Sequence, residues 1–215
     1  MIITWLGHSA FKLQDKVGAD GVTVVIDPFD PAFTGLKWSP LEADIVAVTH
    51  QHQDHNYLKG IKNKAFEIDC AGEYETKNVY IEGVDAWHDE EQGAKRGGNV
   101  IYRIDMDDLT VTHLGDLGTI LDAKQLERLE GTHILLIPVG GGFTLDAKKA
   151  VEVINQLEPR IVIPMHYSLP GLKFDLAGVD KFIKELGLPP RYEEKLKISK
   201  RDLPTENTEL VILTP

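Results

Sequence analysis

The sequence has one cysteine, Cys70, so no internal disulfide can staple the chain, and this usage suits a reducing compartment. It is also short of positive charge, with 23 Lys and Arg against 34 Asp and Glu and a formal net charge of −11. That balance argues against broad nucleic-acid binding, whose affinity comes largely from cations on phosphates, and against adhesion to anionic membranes. No stretch approaches the roughly 18 consecutive apolar residues of a membrane span. The N-terminal run Met1–Leu6 has no basic region before it and is interrupted by Gly7 and His8, so it reads as a first strand and not as a signal peptide. A cytoplasmic location is the expectation. With no repeat, low-complexity tract or long linker, the 215 residues fit one domain, 1–215, large enough to bury a core.

What the sequence does contain is a series of short apolar runs bounded by Gly, Pro and Asp. These are Ile2–Leu6, Val22–Ile26, Ile45–Thr49, Val79–Ile81, Val100–Ile104, Thr110–Leu114, Ile134–Val139, Ile161–Met165 and Glu209–Leu213. Several are apolar at nearly every position, as strands covered on both faces are. Helical spacing appears over Asp122–Leu129, over Ala147–Leu157 with Thr144 or Asp146 as cap, and from Leu176 to Leu186, closed by Gly187. Strands dominate the first half and strand–helix alternation the second, an α/β class with sheets covered by helices.

The chemistry concentrates in Thr49-His50-Gln51-His52-Gln53-Asp54-His55, directly after a buried strand. In extended backbone, residues two apart project to one side, so His50 and His52 can face one ion. Asp54 and His55 follow where the chain should turn and can reach a second ion nearby. Imidazole and carboxylate suit Zn²⁺, Fe²⁺ or Mn²⁺ without a thiolate. The alternative is a polar loop holding three histidines by chance, but the whole chain has only 8. Four donors cannot fill two sites, and further ones lie at or just past other predicted strands: His88, Asp116 and His166.

In this ordered set the chain resembles the metallo-β-lactamase superfamily from end to end. Asp27 ends an early strand, His50 to His55 give the His-x-His-x-Asp-His signature, and His88, Asp116 and His166 follow in order. The resemblance implies a four-layer αβ/βα sandwich. It also implies two divalent metal ions, zinc first and manganese or iron as alternatives. His50, His52 and His88 would hold one, Asp54, His55 and His166 the other, and Asp116 would bridge them. Asp27 would fix the histidine-rich loop by hydrogen bonds, the usual role of an outer partner. Trp5–Ala10, His88-Asp89, His113–Gly118 and Pro138–Thr144 look like the compact metal-dependent hydrolase branch, which is similar to L-ascorbate-6-phosphate lactonase. The implied activity is cleavage of a phosphodiester, lactone or similar ester in a small, anionic molecule, with a hydroxide between the metals as nucleophile and Asp54 orienting it. Two rivals remain: an iron-dependent oxidoreductase of the same fold, and a metal-binding protein without turnover. A homo-oligomer stays open.

Other residues carry two readings each. His8 could bind substrate or protonate a leaving group, or merely cap a turn. Gly140, Gly141 and Gly142 could present backbone amides to an anion, with Gly141 and Gly142 as substrate-binding candidates, or simply form a tight turn. Asp89 either orients His88 or begins a solvated loop. His113 is a core histidine or a support for the site, and His133 punctuates the surface. Trp87 and Tyr167 wall the pocket or pack in the core. Lys59, Lys95 and Arg96 read as surface charges able to meet a phosphate.

Overall fold

The computed structural model describes residues 1–15 and 21–215. Fourteen strands form two sheets among the described residues. In the first half these are β1 (Ile2–Gly7), β2 (Ala10–Gln14), β3 (Thr23–Ile26), β4 (Ile45–Ala47), β5 (Phe66–Ile68), β6 (Gly72–Thr76), β7 (Val79–Trp87) and β8 (Gly98–Met106). There follow β9 (Leu109–His113), β10 (Ile134–Pro138), β11 (Ile161–Met165), β12 (Pro190–Glu193), β13 (Leu196–Lys197) and β14 (Glu209–Leu213). Helices are α1 (Pro31–Thr34), α2 (Ala123–Leu129), α3 (Ala147–Leu157) and α4 (Val179–Leu186).

The six-stranded sheet runs β13-β1-β2-β3-β4-β5 and the eight-stranded sheet β12-β14-β11-β10-β9-β8-β7-β6. Alternation along the first sheet divides its side chains as a pleated strand requires. Val24, Ile26, Ile45 and Ala47 enter the large core shared with the second sheet. Val25 and Val46 point the other way, into a smaller cluster closed by Trp38, Leu41, Ile61 and Ala65. Strands β9, β10 and β11 are buried at every position, because α3 and α4 cover the face turned away from the first sheet with Ala150, Val153, Ile154 and Phe182. This is the α/β sandwich expected. The two halves differ: three helices of seven to eleven residues follow β9, β10 and β11, whereas the outward side chains of the first sheet are closed by Trp38, Leu41, Ile61 and Ala65, which lie outside the helices.

Caps explain where the helices start. Asp146 accepts from Lys149 N at 2.9 Å, and Asp122 forms a capping box with Gln125. The third predicted helix begins later than its apolar spacing suggests. Leu176 is buried ahead of it, and Gly178 is the residue before its first turn. The strand expected over Val79–Ile81 runs on to Trp87, because it pairs with β8 residue for residue from Tyr80↔Asp105 to Trp87↔Gly98. No helix is long and apolar enough to cross a membrane among the described residues.

Candidate metal centre

The donor residues follow the ends of strands, so one edge of the sandwich gathers them. His8 follows β1, Asp27 follows β3, the His50–His55 segment comes shortly after β4, His88 follows β7, Asp116 lies just past β9, and His166 follows β11. His8, Asp27 and His166 adopt the left-handed backbone region, with φ of 52°, 48° and 50°. Non-glycine residues there carry strain of about 1–3 kcal/mol each, which persists only when surrounding structure fixes them. Here the His166 N–H donates to the His8 carbonyl at 3.0 Å and the Asp27 N–H to that of Ala47 at 2.9 Å.

Close backbone approach completes the frame. A Cβ on Gly118 would meet the His88 carbonyl oxygen at 2.4 Å, and one on Gly140 would meet that of His166 at 2.2 Å. Only glycine lets these turns pass so near the donor-bearing backbone. Two buried side chains shape the turn before Asp116. Asn99 accepts from Asp116 N at 2.9 Å and donates to the Leu114 carbonyl at 2.9 Å. His113 sits beside Ser9 O at 2.9 Å and accepts from Gly115 N at 3.0 Å, so its Nε2 carries the proton. His113 is thus a satisfied core histidine that also holds the turn.

Asp116 is the centre of the cluster. Its Oδ2 lies 3.2 Å from His88 Nε2, 3.3 Å from His55 Nε2, 3.3 Å from His166 Nε2 and 4.0 Å from His50 Nε2. Around it, His50, His52 and His88 form one group of mutually close donor atoms, and Asp54, His55 and His166 another, which His8 joins. A third combination, His50, His55 and Asp116, links them.

Outer partners set which ring atom points inward. Asp27 accepts from Thr49 N, Thr49 Oγ1 and His55 Nδ1, each at 2.8 Å. With its own proton given to Asp27, the Thr49 hydroxyl can accept from His50 Nδ1 at 3.0 Å. His50 and His55 therefore both turn Nε2 inward, and those two atoms, with Asp116 Oδ1, are buried without a hydrogen-bond partner. Unpaired buried polar atoms are costly and uncommon, and converging nitrogen and oxygen lone pairs are what a divalent cation takes up. The residues present fit metal.

The electrostatics agree. Burial, reinforced by neighbouring histidines, lowers the His50 pKa to about 3 and that of His8 to about 4, and it lowers His52 as well. Burial would raise Asp116, but His166 and His55 outweigh it and hold the carboxyl well below its ordinary value; burial likewise opposes the charge of Asp27, yet His55 and its hydrogen bond lower that pKa too. Neutral imidazoles and ionised carboxylates are the ligand forms. His55 is the exception: burial opposes its charge, yet Asp116 and Asp27 on either side raise its pKa well above the ordinary value. Positive charge is favoured between His55 and Asp116.

The weaker candidates now have places. His8 is fully buried, donates from Nε2 to Asp54 Oδ2 at 3.1 Å, and does not line the cavity. Asp89 bonds the backbone N–H groups of Glu91, Gly93, Lys95 and Arg96, so it organises its own loop and makes no bond to His88. Tyr167 is core, packed on Trp5 at 5.1 Å. Trp87 is exposed and lines a neighbouring cavity. His133 accepts from Thr110 N at 2.9 Å, and Lys95 pairs with Glu91.

In the glycine run, the Gly141 N–H donates to the Leu145 carbonyl at 3.1 Å; Gly141 and Gly142 line a cavity against Lys148 and Lys181, and Gly142 also lines the one that holds His88, Arg96 and Phe143. What that loop gives the metal-facing cavity is Phe143. Sequence reasoning also missed Phe33 and Phe174 in the wall, and Asn99. Asp30-Pro31, an N-cap followed by proline at the first helical position, was the available signal for α1 and hence for Phe33.

A two-sheet α/β sandwich with histidines and carboxylates converging at one edge is the architecture of a metallo-β-lactamase-type metalloprotein. Residues 2–166 match the family described as a β-lactamase superfamily domain. A UPF0173 metal-dependent hydrolase of Methanopyrus kandleri is 32% identical over 219 residues, covering 87% of this chain and 94% of that protein. Among solved structures, a protein of Thermotoga maritima described as a candidate Zn-dependent hydrolase of the metallo-β-lactamase superfamily is similar. It has a TM-score of 0.78 and 34% identity, over 99% of this chain and 98% of that one. Igni18, a metallo hydrolase of Ignicoccus hospitalis, follows with a TM-score of 0.62 and 26% identity, over 86% of this chain and 90% of its own. The chain belongs to the β-lactamase superfamily, and within it to the UPF0173 metal-dependent hydrolase family.

Proposed function

We propose that this protein is a hydrolase that cleaves a phosphodiester, lactone or similar ester in a small molecule, using two divalent ions, zinc before manganese or iron. The observation that carries this reading is Asp116 Oδ2, within 3.3 Å of imidazole nitrogens from His55, His88 and His166, between two groups of donors. His50, His52 and His88 would hold one ion, Asp54, His55 and His166 the other, with Asp116 shared. Such a pair generates hydroxide from water near neutral pH and offsets negative charge at the attacked centre.

The chain's own groups supply orientation. Asp54 lines the cavity with one oxygen tied to His8, so its carboxylate is fixed where attacking water would be oriented. Its pKa is lowered: burial alone would raise it, but the His8 hydrogen bond and the charge of His55 prevail. His8, buried behind Asp54, acts as a positioning residue and not as a direct partner of the leaving group. Asp27 and Thr49 keep the rings of His50 and His55 in one tautomer and orientation.

Metal content per chain, measured by mass spectrometry on protein purified without added metal, should be about two equivalents of zinc or manganese. His50→Ala should abolish turnover across phosphodiester and lactone panels while circular dichroism stays unchanged. Full activity in that variant would sink the reading, and predominant iron with no hydrolysis would replace it with redox chemistry.

A further inference from the structure

The metal-facing cavity has a volume of about 450 Å³, within the usual range for small-molecule sites, and its two ends differ in chemistry. At one end Phe33 and Phe174 meet with ring centroids 5.3 Å apart, and Phe174 lies 5.6 Å from the His8 ring. This wall is fixed from behind, since Lys173 N donates to Thr34 O at 2.9 Å and Lys173 Nζ to Ala32 O at 2.7 Å. Both ties bind α1 to the segment carrying Phe174. At the other end the Arg96 guanidinium carbon stands 3.9 Å over the Phe143 ring. Arg96 and Phe143 also line an adjoining cavity with His88, which places them on the His88 side of the centre.

Arg96 is uncommitted electrostatically. The acidic residues of its loop are engaged elsewhere: Asp89 by four backbone N–H groups, Glu90 by Lys149 and Glu91 by Lys95. Among the described residues Arg96 makes no salt bridge. In a chain of net charge −11, a guanidinium held over an aromatic face at the mouth of a cavity is poised for an anion.

We infer that the substrate carries an aryl or comparably flat apolar group on one side of the scissile bond and an acid group on the other. Phe33 and Phe174 hold the first, Arg96 pairs with the oxyanion of the second, and Phe143 keeps Arg96 in place. The bond cleaved between them rests on the hydrolase reading above; the binding of the two ends does not. A carboxylate and a phosphate share the required planar or forked acceptor pair, which a guanidinium meets with two parallel N–H donors.

Calorimetry on the protein as purified separates these possibilities with three unreactive probes: 4-phenylbutanoate, 4-phenylbutylphosphonate and 4-phenylbutan-1-ol. Arg96→Gln should weaken whichever acid probe matches the native group by about tenfold or more and leave the alcohol unchanged, with metal content as in the parent protein. Phe33→Ala should weaken all three. The larger loss between carboxylate and phosphonate identifies the acid. Acid binding unaltered by Arg96→Gln would mean that the metal ions take the anion and would overturn the assignment, as would failure of all three probes to bind the parent protein. Because no turnover is read, absence of hydrolysis would strike the hydrolase reading alone.

Discussion

The two donor groups on either side of Asp116 are built differently. In His50, His52 and His88, the middle residue is half-buried on the cavity rim, its ring 4.5 Å from that of His50 and 5.1 Å from that of His88. Among the described residues no hydrogen bond steadies the His52 side chain. In Asp54, His55 and His166 the imidazoles are buried, His55 is anchored on Asp27 at 2.8 Å, and Asp54 is tied to His8 at 3.1 Å. One group is therefore held by hydrogen bonds to His55 and Asp54, while the other includes His52, a half-buried side chain without such a tie among the described residues. Preorganisation of that kind shows in affinity and release.

The strongest test attacks what the groups share. Asp116→Ala removes an oxygen that lies 3.2 Å from His88 in one group and 3.3 Å from His55 and His166 in the other, so turnover should fall below detection and, on the two-ion proposal, both ions should be lost on dialysis, read by mass spectrometry. Full retention of either ion would show that Asp116 does not join the groups. His52→Ala should separate them: metal content falls from about two equivalents to about one, and turnover falls with it. Loss of both ions from this variant would mean that the inner group is not independently organised.

These contrasts were partly legible in the sequence and partly not. The positions of His50, His52, Asp54, His55, His88, Asp116 and His166 at strand ends could be read because buried strands announce themselves by apolar runs, and polar residues just past them gather at one edge. Edge strands announce nothing. β5, β6, β12 and β13 are short and largely exposed, and their partners define them more than their own composition does. β2 was hidden because its turn from β1 is only His8-Ser9, although Phe11 and Leu13 are buried on alternate positions. Arg96, Phe33 and Phe174 stand in a long loop, a four-residue helix and another loop, and nothing in their spacing brings them to one cavity. The Gly140–Gly142 run is the converse case, legible by composition but not by placement: Gly140 packs against the His166 carbonyl, while Gly142 lines both the cavity shared with His88 and the one against Lys148 and Lys181.

Smaller effects refine the comparison. Asp27→Asn replaces an acceptor of three hydrogen bonds with a side chain whose amide opposes the same donors. Metal affinity should fall about 10–100-fold, the range typical of outer-partner mutations. The loss should be larger for the group containing His55, which Asp27 bonds directly, than for that of His50, reached through Thr49. Competition with a fluorescent chelator measures both steps. Equal losses would mean that the two groups draw equally on Asp27.

The smallest expected effect concerns the turn that presents Asp116. Asn99→Ala leaves the buried Asp116 N–H and Leu114 carbonyl without partners, which costs about 1–3 kcal/mol. For a chain of this length each kcal/mol lowers the melting temperature by about 2–4 °C. The measurement belongs to metal-free protein, where no ion can hold the carboxylate in place. Asn99→Asp keeps an acceptor for Asp116 N but loses the donor to Leu114 O, so its melting temperature should lie between the two. A metal-free Asn99→Ala protein that melts with the parent would show that the Gly115 N–H bond to His113 alone suffices to fix the turn.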